Sequence, residues 1–328
     1  MIMSEPEDRF DYEGRLVFNG TFKTDIFGAD LNPERVIEDL PEYEQGSPQQ
    51  PGYGFTDIDL EELAVSNLQS NGLIELAENT ISFRYTQEDF QEEEIVDIEG
   101  NSEIRYSRRL QSVDFYWVFP EFLFVRGPKS EVKKAVNKLK AVWERSIELS
   151  KLDFEPDFLI WLIYKHYNGE DLNTGINIIR LTDAKIQGSH DVFGSTRRIS
   201  DSTDLVRSPP VITAILQNED IVTIGGEFLI DNRYQLSVDI STDGRTHIKA
   251  QSNDIREANS LERVLISILF VENICEIYTD WLELDPSEKY PPVDFFEELY
   301  QSLENQGIST SFTLDSVIDE YTAKRGEQ

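Results

Sequence analysis

The chain has a single cysteine, Cys275, in 328 residues. One thiol excludes an intrachain disulfide and any multi-cysteine metal site. It lies in the apolar run 265–277, where it reads as a small buried hydrophobe rather than a nucleophile. Histidine is almost as sparse. His166, His190 and His247 are dispersed, and no two stand at the i, i+4 spacing of a zinc-binding helix. No Gly-rich nucleotide fingerprint or Gly-x-Ser-x-Gly elbow occurs. The apolar stretches are too short or too charged to span a bilayer. The opening residues, Met-Ile-Met-Ser-Glu-Pro-Glu-Asp, lack the basic and apolar segments of a signal peptide. These absences lead to the expectation of a soluble, cytoplasmic protein with no metal, no cofactor and no membrane partner.

Positive charge is also short: 30 Lys+Arg stand against 63 Asp+Glu, a formal −33. The acid runs through the whole chain, and lysine is scarce outside one segment. Such a load repels itself at ordinary ionic strength. The Debye length is about 8 Å at physiological salt and about 3 Å at 1 M, so molar salt screens it. Composition therefore predicts a protein of a salt-accumulating halophile, with the acidic bias that resembles haloarchaeal proteins in general. Mimicry of nucleic acid or pairing with a basic partner would instead gather carboxylates on one surface. With 39% hydrophobic and 11% aromatic residues the chain can bury a core, which separates it from disordered acidic chains.

The pattern predicts an α+β fold of two antiparallel β-meander units, each followed by a long amphipathic helix, with short flanking helices. The boundary falls between 1–151 and 152–328. In the first domain an acidic arm at 1–9 precedes a strand at 15–23, a short helix at 32–40 and a Pro/Gly loop at 41–55. A helix capped by Thr56 or Asp57 is expected to run to Asn71, with Gly72 as its stop and strands at 73–76 and 80–85. This helix–Gly–strand–strand outline resembles the second half of a winged helix, but its helix carries no Lys or Arg for phosphate. A plain helix on a hairpin is the expectation. The acidic stretch 88–103, with Glu92-Glu93-Glu94, reads as a solvated loop or exposed edge strand, because adjacent glutamates lack the alternation of an EF-hand loop. Strands at 112–118 and 122–125 lead to a helix running to about Lys151. The second domain is expected to hold a helix at 157–167, strands at 176–186, 211–217, 221–230, 234–241 and 246–251, and helices at 259–282, 293–305 and 313–323.

Four groups of residues carry chemistry. Lys129, Lys133, Lys134, Lys138 and Lys140 cluster on the helix after Pro128, and four of them lie off its apolar stripe. They form a basic face suited to a protein partner or to nucleic acid, though phosphate contacts weaken steeply as salt rises. Arg197 and Arg198 lie in a polar segment suited to a binding loop; Arg105, Arg108 and Arg109 can clamp an anion or pair with Glu92–Glu94. Asp183-Ala184-Lys185 resembles the (Asp/Glu)-x-Lys element of restriction-like nucleases. That resemblance implies a Mg²⁺-holding carboxylate and a charge-stabilising lysine, and it requires a second acid. The sequence thus predicts a non-enzymatic binding or regulatory protein acting through protein contacts. The alternatives are a metal-dependent nuclease or phosphoesterase centred on Asp183 and Lys185, and a nucleic-acid-associated protein using the lysine helix.

Overall fold

The computed structural model describes residues 15–27, 33–68, 70–96, 98, 100, 102–144, 146–172, 175–188, 196–249, 258–308 and 312–327. The expected arm at 1–9 and His190 lie outside the described residues. The fold is mixed α+β, and each strand ladder within the two compact units is antiparallel. The units are Val17–Leu152, and Met1–Leu16 with Asp153–Gln328.

The first unit contains β1 (Arg15–Ile26), α1 (Pro33–Glu38), β2 (Tyr53–Ile58), α2 (Leu60–Asn67), α3 (Asn71–Glu78), β3 (Thr80–Val96), β4 (Ser102–Val118), β5 (Phe122–Arg126), α4 (Lys129–Trp143) and β6 (Ile147–Lys151). Its strands lie in the order β2-β3-β4-β5-β1, and β6 also pairs with β1. Period-2 alternation places Phe83, Tyr85, Val113, Phe115, Trp117, Leu123 and Val125 on one face. The helical period places Val132, Ala135, Val136, Leu139 and Trp143 of α4 in the same core. Trp143 is the keystone, its ring 5.3 Å from Trp117 and 5.9 Å from Phe83.

The second unit contains α5 (Pro156–Asn168), β7 (Ile176–Gln187), β8 (Thr196–Ile199), a 3-10 turn at Leu205–Arg207, α6 (Pro209–Leu216), β9 (Asp220–Ile230), β10 (Tyr234–Ser241), β11 (Thr246–Lys249), α7 (Ser260–Glu283), α8 (Pro286–Lys289), α9 (Val293–Asn305) and α10 (Asp315–Arg325). Its strand order is β11-β10-β9-β7-β8. Ile224, Phe228 and Ile230 of β9 and Leu236, Val238 and Ile240 of β10 are buried, and Phe228 meets Phe270 of α7 edge-on at 5.3 Å. Asn259 caps α7 by accepting from Glu262 N at 2.8 Å. Cys275 is buried within α7, which pushes its thiol pKa well up. Tyr321 and Lys324 pin α10 by donating to the Asp157 carboxylate at 2.7 and 2.9 Å.

Four expectations are corrected. Residues 53–58 form β2, paired with β3 from Tyr53 opposite Gln87 to Ile58 opposite Ser82, with Phe55 in the core and Ile58 buried on the other face; the following helix starts at Leu60 with Asp59 as its cap. Residues 73–76 belong to α3, not a strand: Leu73, Leu76 and Ala77 share one helical face, and Gly72 lies inside the helix instead of ending one. The helix expected to reach Lys151 ends at Trp143; Ile147 and Leu149 are buried alternately in β6. The run 211–216 lies in α6, led by Pro209-Pro210 and capped by Gln217, with five apolar residues buried around the helix. So continuous an apolar run carries no period to distinguish helix from strand.

Candidate functional site

Within the acidic stretch 88–103, residues 88–96 and 102–103 lie on two long paired strands, where a solvated loop or an exposed edge strand was expected. β3 and β4 are 17 residues each. β2 pairs with β3 only between Ser82 and Gln87, and β5 with β4 only between Asp114 and Val118. Beyond those rows β3 and β4 pair with each other alone, from Glu88 opposite Leu110 to Val96 opposite Ser102. The result is a two-stranded arm projecting past the sheet.

Alternation gives the arm two faces. On the side continuous with the α4-covered core face, Asp89 opposes Arg109 and Glu93 opposes Arg105. Opposite charges across strands favour this register. The other face carries Leu110, Phe90, Tyr106, Ile104 and Val96, with Arg108, Glu92 and Glu94 among them. Tyr106, Leu110, Ile104 and Val96 are 47%, 53%, 57% and 59% exposed. A ribbon of two strands is marginal in water, and an apolar face on it invites pairing.

Glu88 fastens the arm at its root. Its buried carboxylate accepts from Tyr43 Oη (2.8 Å), Gly46 N (2.9 Å) and Gly52 N (2.8 Å), and faces Arg108 Nε at 3.3 Å. Burial alone would raise its pKa, but these donors and Arg108 bring it below the ordinary carboxylate value. Gly52 is required here, since a Cβ would stand 2.1 Å from Glu44 O. Next along the same face, Asp114 bridges Arg84 and Arg126 across β3, β4 and β5.

The lysine face is present on α4, and several of its lysines have local partners. Lys134 pairs with Glu131 at 3.1 Å. Lys138 Nζ lies 4.5 Å over the Tyr53 ring and Lys140 Nζ 5.7 Å over Phe22. Lys129, at the helix start, and Lys133 are exposed. Arg197 pairs with Glu219, while Arg198 stands opposite Lys185 in the β7–β8 ladder.

Asp183 and Lys185 flank the buried Ala184 and so share the polar face of β7. Asp183 (β7), Gly225 (β9), Asp239 (β10) and His247 (β11) form one row across four strands. Only glycine fits between the acids: a Cβ at Gly225 would lie 2.4 Å from Asp239 Oδ1 and 3.0 Å from Asp183 Cβ. Beside Gly225 and Gly226 the register of the partner strand β7 shifts between Leu181 and Asp183. Lys249 Nζ sits 3.0 Å from Asp239 and 3.9 Å from Asp183, and His247 Nδ1 lies 3.3 Å from Asp239. Burial would raise the Asp239 pKa, but His247 and Lys249 hold it below the ordinary value. An ammonium therefore stands between the two carboxylates, where a metal-dependent hydrolase keeps its cation. Among the described residues no group of three His, Cys, Asp or Glu is placed to hold a metal ion.

Sequence reasoning missed Asp239, His247 and Lys249, although the Asp243-Gly244 turn sets the register that opposes 239 to 247. It also missed the apolar face of the arm, because the acids of 88–103 masked the period-2 apolar positions. No helix of the described residues is long and apolar enough to cross a membrane. No protein-family model matches this chain, and no curated protein matches its sequence.

Proposed function

We propose that this chain is a non-enzymatic binding module of a high-salt cytoplasm, acting through protein contacts, with the arm as its principal docking element. The observation that carries this reading is the row of half-exposed apolar side chains, Leu110, Tyr106, Ile104 and Val96, on a ribbon that extends past its own sheet. Strand-paired side chains of this kind cover no core of their own strands, and aromatic and aliphatic anchors supply most binding energy at protein interfaces. The lysine face of α4 is the second docking surface. The diffuse −33 charge supports the high-salt setting, because screening removes its self-repulsion.

In-cell photo-crosslinking tests the reading. A photoreactive residue replaces Tyr106 in one variant and the exposed Val65 of α2 in a control. Protein adducts at 106 and not at 65 are expected; equal yields at both positions would overturn the arm's role.

A metal-dependent nuclease or phosphoesterase is the second reading, favoured by Asp239 standing beside Asp183 across Gly225. It predicts Mg²⁺- or Mn²⁺-dependent cleavage of DNA or a phosphodiester that Asp183→Asn abolishes. Absence of such cleavage by the intact chain removes it.

A further inference from the structure

We propose that the apolar face of the arm docks on the lysine-bearing face of α4 in a second copy of this chain, building a head-to-tail assembly. The inference rests on the reading of the arm as a docking element and names its occupant.

Charge complementarity is the first argument. On the apolar face Glu92 lies opposite Tyr106 and Glu94 opposite Ile104, while Arg108, the cation of that face, is engaged by Glu88. The complement is a surface mixing cations with apolar groups. On α4, Lys133, Lys134, Lys138 and Lys140 point outward, beside the half-exposed Tyr53 ring under Lys138 and the exposed Val142. In a chain of −33 this face is where lysines gather. A second copy therefore brings what the arm lacks.

Dimensions agree. From Phe90 to Val96 the strand advances about 20 Å, at roughly 3.3 Å per residue. The 15 residues of α4 span about 22 Å. Glu92 and Glu94 are about 7 Å apart along the strand, and Lys134 and Lys138 about 6 Å apart along the helix.

Topology decides the type of assembly. α4 covers the sheet face that bears Phe83 and Phe115, whereas the arm's apolar face continues the opposite side. The two complementary surfaces of one copy thus look in opposite directions. Such a contact is heterologous: it closes into a ring or propagates, and it makes no isologous dimer. Molar KCl screens the long-range repulsion between copies, while apolar burial and ion pairs in direct contact, within about one Debye length of about 3 Å, persist, so assembly belongs to molar KCl.

Sedimentation velocity of the full chain in molar KCl tests the proposal. Wild type is expected to form species larger than a dimer as concentration rises. One variant removes the arm's grip (Ile104→Ser with Tyr106→Ser) and another reverses the helix (Lys133→Glu, Lys134→Glu and Lys138→Glu). All these positions are exposed, and each variant alone is expected to remain monomeric. Mixed together, they retain one intact arm and one intact helix face, so a dimer of one copy of each is expected and nothing larger. A wild type that stops at a dimer, or stays monomeric at every concentration, overturns the proposal; so does association that survives either variant. The two failures separate through the crosslinks. Adducts at 106 to a different protein, with a monomeric wild type, end self-docking and leave the arm's role standing. No adducts at 106 above those at 65 end both.

Discussion

Replacing Asp114 with asparagine is expected to unfasten three strands at the root of the arm. The Asp114 side chain is 4% exposed; it accepts from Arg84 Nε at 2.6 Å on β3 and from Arg126 Nη2 on β5. Burial alone would lower the pKa of Arg126, but Tyr116 and Asp114 hold it above its ordinary value, so the guanidinium keeps its charge. Asparagine preserves the shape and removes the counter-charge, leaving that cation buried. Breaking a buried pair in this way costs about 3–5 kcal/mol. Arg84 is a quarter exposed and solvent screens its share, so the lower end, about 3 kcal/mol, is expected. Urea unfolding in molar KCl measures the total. Amide exchange across 80–126 reports the local loss, which matters because a chain of two units need not unfold in one step. The triple replacement Arg84→Met, Asp114→Leu and Arg126→Met should recover most of that loss, because it removes the desolvation cost along with the attraction. A loss below about 1 kcal/mol for Asp114→Asn would refute the reasoning, as would a triple variant no better than the single one.

Gly225→Ala drives a methyl group between Asp183 and Asp239 and is expected to cost about 1–3 kcal/mol in thermal or urea unfolding. Gly72→Ala, in α3 with nothing within 4 Å of the added carbon, should instead stabilise by about 0.5–1 kcal/mol. The Glu88 carboxyl has its folded pKa below the unfolded value of about 4.3, so its contribution is present above that pH and is lost as pH falls through the folded value. Amide protection of 41–52 should fall over that acidic window, and Glu88→Gln should remove the pH dependence. Thermal unfolding should shift upward from about 0.1 M to several molar KCl as screening removes self-repulsion. A flat response would contradict the high-salt setting.

The sequence was most legible where one period spoke alone. α5, α7 and α9 carry unbroken helical spacing with a clear cap or a proline at one end, and β9 and β10 alternate cleanly around the Asp231-Asn232 turn. It was least legible where two signals competed. The apolar fill of α6 has no period, and Ile147 continued the stripe of α4 by chance before pairing in β6. In the arm, acids beside Phe90, Ile104 and Tyr106 gave solvated-loop composition to residues that alternate as strands. Among the candidate sites, Asp183 with Lys185 and the α4 lysines were visible as local motifs. The row joining Asp183 to Asp239, His247 and Lys249 depends on strand order and on the empty side-chain position at Gly225, which no local spacing contains.

An arm displayed for docking, as proposed, adds nothing to its own core. Phe90 and Arg108 stand directly opposite each other, so a two-residue Asn-Gly turn can replace residues 91–107 and leave the Glu88 clamp intact. The measurement is the thermal unfolding midpoint of this shortened chain in molar KCl, at a concentration low enough that the wild type is monomeric and assembly adds nothing to its midpoint. The account predicts a midpoint equal to that of the wild type; a large fall would mean that the arm's apolar side chains are buried by the fold itself.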